Sequence, residues 1–296
     1  MFETLKNVFR VKEMRRKLLY LIWMIFIIRI GCQIPVPGVD SDFFKQWFSS
    51  NAGDAFNFFD AFTGGSFERM SIFALNITPY ITSSIIIQLL TIAIPALEEM
   101  QRDGEEGRKK MTAITRYVTV GLALFESIAM AIGFGRQGMI PDLNFFKGAV
   151  VVACLTAGSA MLMWLGERIT EKGVGNGISI VLTINIISRM PSDLSLLYEN
   201  FIKGKTIAKG TLAGIIIAAV ILVVVVLVLI LNGAERRIPV QYSKKMVGRK
   251  LMGGQSTNIP LKVNTAGVIP VIFASSIMSF PTLPNLIIPK YTAIMH

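Results

Sequence analysis

Between Thr211 and Leu231 the chain reads TLAGIIIAAVILVVVVLVLIL, 21 residues without a charge. As a helix this run rises roughly 31 Å, about the hydrocarbon thickness of a bilayer. That makes the chain a membrane protein. An ordinary soluble enzyme, a secreted disulfide scaffold and a disordered chain are excluded. Composition agrees: 52% of residues are hydrophobic and 17% charged, against about 25% charged in a soluble domain. Mean hydropathy is +0.57.

Charge-poor windows long enough to cross number seven, at 18–36, 71–97, 111–133, 147–166, 174–195, 210–231 and 265–286. The first follows a basic stretch and resembles a signal peptide. No small-residue cleavage site follows it and Arg29 interrupts it, so it reads as a retained span. The chain carries 30 Lys+Arg against 19 Asp+Glu, a net charge of +11. Such an excess suits nucleic acid or the cytoplasmic loops of a membrane protein, and its placement separates the two. The N-terminus and loops 98–110, 167–173 and 232–264 hold six, four, two and seven basic residues, nineteen together, and the opposite side holds nine. The N-terminus is therefore expected in the cytoplasm.

Chemistry-bearing groups are scarce. Cys32 and Cys154 lie far apart in apolar stretches, and the one His is His296. No catalytic group, metal site or cofactor is expected. GVGNG (173–177) lacks the preceding strand and the Lys-Ser/Thr of a phosphate loop. The second, fifth and seventh windows carry Asn, Ser, Thr, Gln, Gly and Pro. Those groups should face other helices or a wet cavity, and packing through small residues is an equally plain account. Pro79 is expected to free a carbonyl near Leu75. Glu126 is the one acid well inside a span, either a functional group or a helix-contact hydrogen bonder.

Ile77 and Ile81 stand one turn apart, Ile178 and Leu182 repeat that spacing, and Ile272 follows Pro270. Bulky aliphatics on otherwise polar spans suit a hydrophobic constriction, with core packing the default for any one of them. Phe56, Phe59 and Phe62 fall at helical steps ahead of Gly64-Gly65, predicting a short amphipathic helix too short to cross. Loop 232–264 is either a solvated tether or a docking surface for something acidic. A channel and a secondary transporter of a small solute both remain open on these residues.

The stretches IPVPGVD (34–40), FNFFDAFTGGSFERMSIFALNITPYITSSIIIQLL (56–90), MWLGERITEKGVGNGISI (163–180) and QSTNIPLKVNTAGVIPVIFASSI (255–277) resemble the SecY family, the channel-forming subunits of bacterial protein translocases. The resemblance implies an all-α polytopic transmembrane helical bundle, here incomplete, since the family has ten spans and seven are read. It implies a pore ring of Ile77, Ile81, Ile178, Leu182 and Ile272. It makes 55–69 a plug, with Phe56, Phe59, Phe62, Gly64 and Gly65, and places Thr82, Glu126 and Asn264 near a lateral gate. Arg236, Arg237, Lys244, Lys245, Arg249 and Lys250 would dock cytoplasmic partners.

The implied setting is the bacterial inner membrane, with unfolded polypeptides bearing signal peptides as cargo and lipid receiving their apolar segments. The implied partners are the small subunits SecE and SecG, the motor ATPase SecA and the ribosome, any nucleic-acid contact being confined to ribosomal RNA. The expected organisation is a basic N-terminus (1–17), first span and external loop (18–54), plug-like helix (55–69), spans two to five (70–195), external loop and span six (196–231), basic loop (232–264), and span seven with an external tail (265–296). Topology has a direct check. A cysteine introduced at Lys245 should resist an impermeant thiol reagent added to intact cells and react after permeabilisation; labelling from outside would invert the orientation.

Overall fold

The computed structural model describes residues 11–51, 60–136, 138, 140, 144–203, 207–240, 245–247, 250–252, 257–265, 267, 270 and 274. Two units divide the chain, Met1–Pro191 with Phe273–His296, and Ser192–Ile272.

The first unit is a helical bundle. Its elements are α1 (Lys12–Gly31), α2 (Ser41–Asn51), α3 (Thr78–Ala93), α4 (Pro95–Arg102), α5 (Gly104–Arg136), α6 (Phe145–Lys172) and most of α7 (Gly177–Phe201). Among the described residues, four helices are long and apolar enough to cross a membrane, or five if the bent pair α3–α4 is one span. These match the third to sixth expected windows and part of the second. The expected first span is helical only to Gly31. Its basic first turns and Arg29 leave a short apolar stretch between them. The expected seventh window lies largely outside the described residues.

The second window, 71–97, is not one continuous helix. Residues 71–77 form a bridge and turns, α3 begins at Thr78, and the chain bends by 104° between α3 and α4. Pro79 therefore opens a helix, where its missing N–H is no loss, and breaks no interior hydrogen bond as the sequence had suggested. Segments 98–110 and 167–173, read as loops, are mostly helical. The stretch after IPVPG holds α2, which the sequence reading did not separate. Asp40 starts it, its Oδ1 accepting from the backbone N–H groups of Asp42 and Phe43 at 3.1 Å each.

Polar side chains tie neighbouring helices. Ser83 Oγ of α3 lies 2.6 Å from Thr119 Oγ1 of α5, both buried. Ser127 Oγ of α5 lies 2.8 Å from Thr156 Oγ1 of α6. Arg116 of α5 grips Glu167 of α6 through Nε at 2.9 Å and Nη2 at 2.8 Å. The expectation that polar groups face other helices thus holds for Asn76 and Ser83, both buried, while Gln88 is exposed.

The second unit holds the end of α7, then α8 (Ile207–Gly233) and a β-ribbon. Every side chain of α8 from Val220 to Leu231 is exposed, as a lipid-facing helix requires. The described residues of the basic loop pair as short strands. β1 (Glu235–Val240) pairs antiparallel with β4 (Thr257–Lys262), and β2 (Lys245–Val247) with β3 (Lys250–Met252).

The buried hydroxyl pair gives a stability test. A double-mutant cycle on Ser83→Ala and Thr119→Ala should show a coupling of about 0.6 kcal/mol, the average for such bonds between membrane helices. Unfolding of the detergent-solubilised protein measures it, and strictly additive losses would show that the two hydroxyls do not cooperate.

Candidate functional site: a buried irregular segment beside an aliphatic cluster

Most connecting segments lie on a protein's surface, because buried irregular backbone leaves polar groups without water. Residues 60–77 do the opposite. Only 60–63 are helical, and the rest runs in turns to α3. Yet Asp60, Thr63, Ser66, Phe67, Met70, Ser71, Phe73, Ala74, Leu75, Asn76 and Ile77 are all at most 3% exposed.

Internal bonds make this burial possible. Backbone pairing with the IPVPG stretch fixes one side, Val36 N donating to Met70 O and Ile72 N to Ile34 O, each at 3.0 Å. Asp60 Oδ1 accepts from Glu68 N at 2.9 Å and from Thr63 Oγ1 at 3.1 Å. Its other oxygen pairs with Arg189 of α7. Asn76 takes a left-handed backbone conformation, φ +53°, which Asn tolerates better than most residues. Its Nδ2 donates to Phe62 O at 2.8 Å, and its Oδ1 accepts from Asn185 Nδ2 of α7 at 3.1 Å. Asn185 Oδ1 in turn accepts from Arg29 Nη1 of α1 at 3.3 Å.

Glycine permits close approach along this segment, at Gly158 and Gly64 among others. A Cβ on Gly158 of α6 would collide with the Ile72 carbonyl. A Cβ on Gly64, itself at φ +67°, would lie 2.7 Å from Asn185 O and 2.9 Å from Ser188 Oγ. Asn185, Ser188 and Arg189 share one face of α7 by their three- and four-residue spacing. That face lies against residues 60–64.

An aliphatic cluster adjoins the end of the segment. Ile77, fully buried, packs with Ile28, Phe73, Leu162, Leu165, Ile169 and Val181, and Ile81, Ile178 and Leu182 lie against them. Gly166 of α6 faces both Ile178 and Ile77 across its missing side chain. Tight α6–α7 coupling sets this position. Asn176 Oδ1 caps α7 by accepting from Ile178 N at 3.0 Å, and Gly177 N donates to Thr170 Oγ1 at 2.9 Å. GVGNG is thus a helix-to-helix turn. Four of the five ring candidates are brought together; Ile272 lies outside the described residues.

Of the plug candidates, Phe62, Gly64 and Gly65 lie in the buried segment, and helical residues end at Thr63 as the glycines predicted. Phe56 and Phe59 lie outside the described residues. Thr82 and Glu126 are half-buried on the neighbouring helices α3 and α5. Asn264 belongs to the second unit, where its Nδ2 donates to Asn232 Oδ1 at 3.3 Å. Arg236 and Arg237 are exposed neighbours on β1, Lys245 and Lys250 fall in β2 and β3, and Lys244 and Arg249 lie outside the described residues. Sequence reasoning missed Asp60, Asn185 and Arg189, and took Arg29 only as an interruption. The available signal was the N-x-x-S-R spacing of 185–189, polar groups one turn apart inside an apolar window.

Fold and buried segment together define a polytopic helical membrane bundle. In solved structures it is similar to a protein-conducting channel, TM-score 0.61 at 19% identity over 92% of this chain and 58% of the other. It is also similar to a SecY structure described as one whose plug domain stabilises the closed state and maintains a membrane seal, TM-score 0.59 at 20% identity over 92% and 58%. Sec61 in the canine ribosome–channel complex from the endoplasmic reticulum gives 0.59 at 19% over 92% and 59%.

The sequence profile of SecY matches residues 71–295. The protein translocase subunit SecY of Halalkalibacterium halodurans is 44% identical over 95% of this chain and 66% of its own length. That of Streptomyces galbus is 43% identical over 96% and 67%. The chain belongs to the SecY family. It spans about two thirds of the length of these relatives.

Proposed function

We infer that this chain forms part of a protein-conducting pore in a bacterial cytoplasmic membrane, its N-terminus on the cytoplasmic side. The pore passes unfolded polypeptides bearing signal peptides and releases apolar segments sideways into lipid. The observation that carries this reading is the convergence of Ile77, Ile81, Ile178 and Leu182 on one cluster at the end of a buried non-helical segment. Non-helical backbone inside a membrane bundle is tolerated where protein or a cavity shields it. A collar of aliphatic side chains blocks ions, which must shed water to pass, yet offers a polypeptide no specific bonds to break. Ile272 completes the proposed ring, and residues 55–69 act as the plug that closes it.

Thr82, Glu126 and Asn264 mark the lateral seam. The ribbon 232–264, with Arg236, Arg237, Lys244, Lys245, Arg249 and Lys250, is the docking surface for SecA or the ribosome, and SecE and SecG flank the bundle. Net charge supports the docking role, since the loop carries seven basic residues and one acid, Glu235. The chemistry is passive, with energy coming from the docked partner. The likeness to translocase channels leaves the secondary-transporter reading without a supporting observation.

Two experiments test the reading. In the assembled channel, single Ile→Leu changes at Ile77, Ile81 or Ile178 should leave conductance across planar bilayers unchanged, because volume and polarity barely change. Serine at Ile77, Ile81, Ile178 and Leu182 together should wet the waist and raise ion leak; a tight channel would make these residues core packing. Reversing Arg249 and Lys250 to Glu should weaken binding of the partner about tenfold or more at low salt, less so at high salt. Unchanged affinity would leave the ribbon a tether.

A further inference from the structure

We propose that Asn185 and Arg189, on one polar face of α7, form a latch that fastens residues 60–64 inside the bundle, with Asp60–Arg189 its principal bond. The proposal rests on the reading of 55–69 as a plug and names what holds that plug in place.

The two ends of the segment are held by different physics. At its C-terminal end, Phe67, Met70, Ala74 and Leu75 pack with Val36, Phe44, Phe134 and Val151 in a single apolar core. Phe44, Phe67 and Phe134 meet edge to face, with ring centroids 5.0–6.1 Å apart. That end is an anchor. At the N-terminal end, Ala61, Phe62, Gly64 and Gly65 are only half-buried. There the ties to α7 are polar: the ion pair to a carboxylate with no exposed surface, and the amide chain from Phe62 O through Asn76 and Asn185 to Arg29.

Dispersion contacts are individually weak and carry no directional preference. A buried ion pair, in contrast, strongly penalises removal of one partner and fixes a single register. Gly64 adds a steric stop, since it rests directly on the Asn185 backbone. The latch therefore holds one position of the segment and releases it all at once, with the aromatic anchor left intact as a pivot. Asp60, Asn185 and Arg189 are positioning residues; none is asked to touch the translocating chain.

The test uses the complete channel assembled with its partner subunits, with Cys32 and Cys154 replaced by Ala and Ala61→Cys as a reporter. Two quantities are read: the rate of reaction of the reporter with an impermeant thiol reagent, and resting conductance in planar bilayers. Asp60→Ala and Arg189→Ala should each speed labelling at least tenfold. The double variant should be no faster than the faster single, and Arg189→Lys, which keeps the charge, should stay within threefold of the parent. Gly64→Val, which forces the segment off α7, should match the alanine variants. Co-purification of the subunits confirms assembly of every variant.

Labelling unchanged in Asp60→Ala and Arg189→Ala overturns the latch, as does a double variant whose effect is the product of the singles. Faster labelling with a parallel rise in conductance supports both the latch and the plug reading. Faster labelling with flat conductance supports the latch and overturns the plug reading alone.

Discussion

Burying a stretch of chain that is neither helix nor strand is the constraint on which the rest of the first unit depends. Where the segment is buried, no solvent is at hand to satisfy a stray N–H or carbonyl, so its turns must find partners in the protein. The IPVPG stretch supplies two backbone bonds, Asp60 serves as a local capping carboxylate, and Asn76 reaches back to Phe62. These are interior duties for residues that would sit at the surface of a soluble domain.

The surrounding helices are shaped by that requirement. Gly158 leaves α6 room to lie against Ile72, and Pro79 is tolerated because α3 starts only after the segment ends. The first turn of α3 and that of α7 are then adjacent through Gly166. Ile77 and Ile178 therefore meet through the same geometry that holds the segment. An aliphatic cluster and a fastened plug-like stretch are two consequences of one packing arrangement.

Polar and apolar contacts divide the work within the segment. Aromatic packing around Phe67 spreads its attraction over many weak contacts and resists removal from the core. The ion pair and amide relay near Asp60 concentrate theirs in a few directional bonds. Taking charges out of water costs so much that such a pair adds little net stability, whereas its geometry selects one arrangement over near alternatives. The second unit uses charge differently, with Arg236 and Arg237 exposed on β1 and so dependent on ionic strength.

Membrane character, the number and rough limits of the central spans and the stop at Gly64-Gly65 were legible in the sequence because each is a local property. A run such as Thr211–Leu231 is apolar whatever it packs against, and a glycine pair ends a helix through its own backbone freedom. Motif resemblance carried the family. Residues 71–77 misled, since chain buried on every side is as apolar as a span, and apolarity does not distinguish a turn from a helix. The ribbon within 232–264 went unread because its strands are short and charged. The partners of Asp60, Asn76 and Arg29 were decided only by tertiary structure. Asn185 is 109 residues from Asn76 and 156 from Arg29, and no periodicity reaches that far; only the packing of α1, α7 and the buried segment brings those side chains within a hydrogen bond of one another.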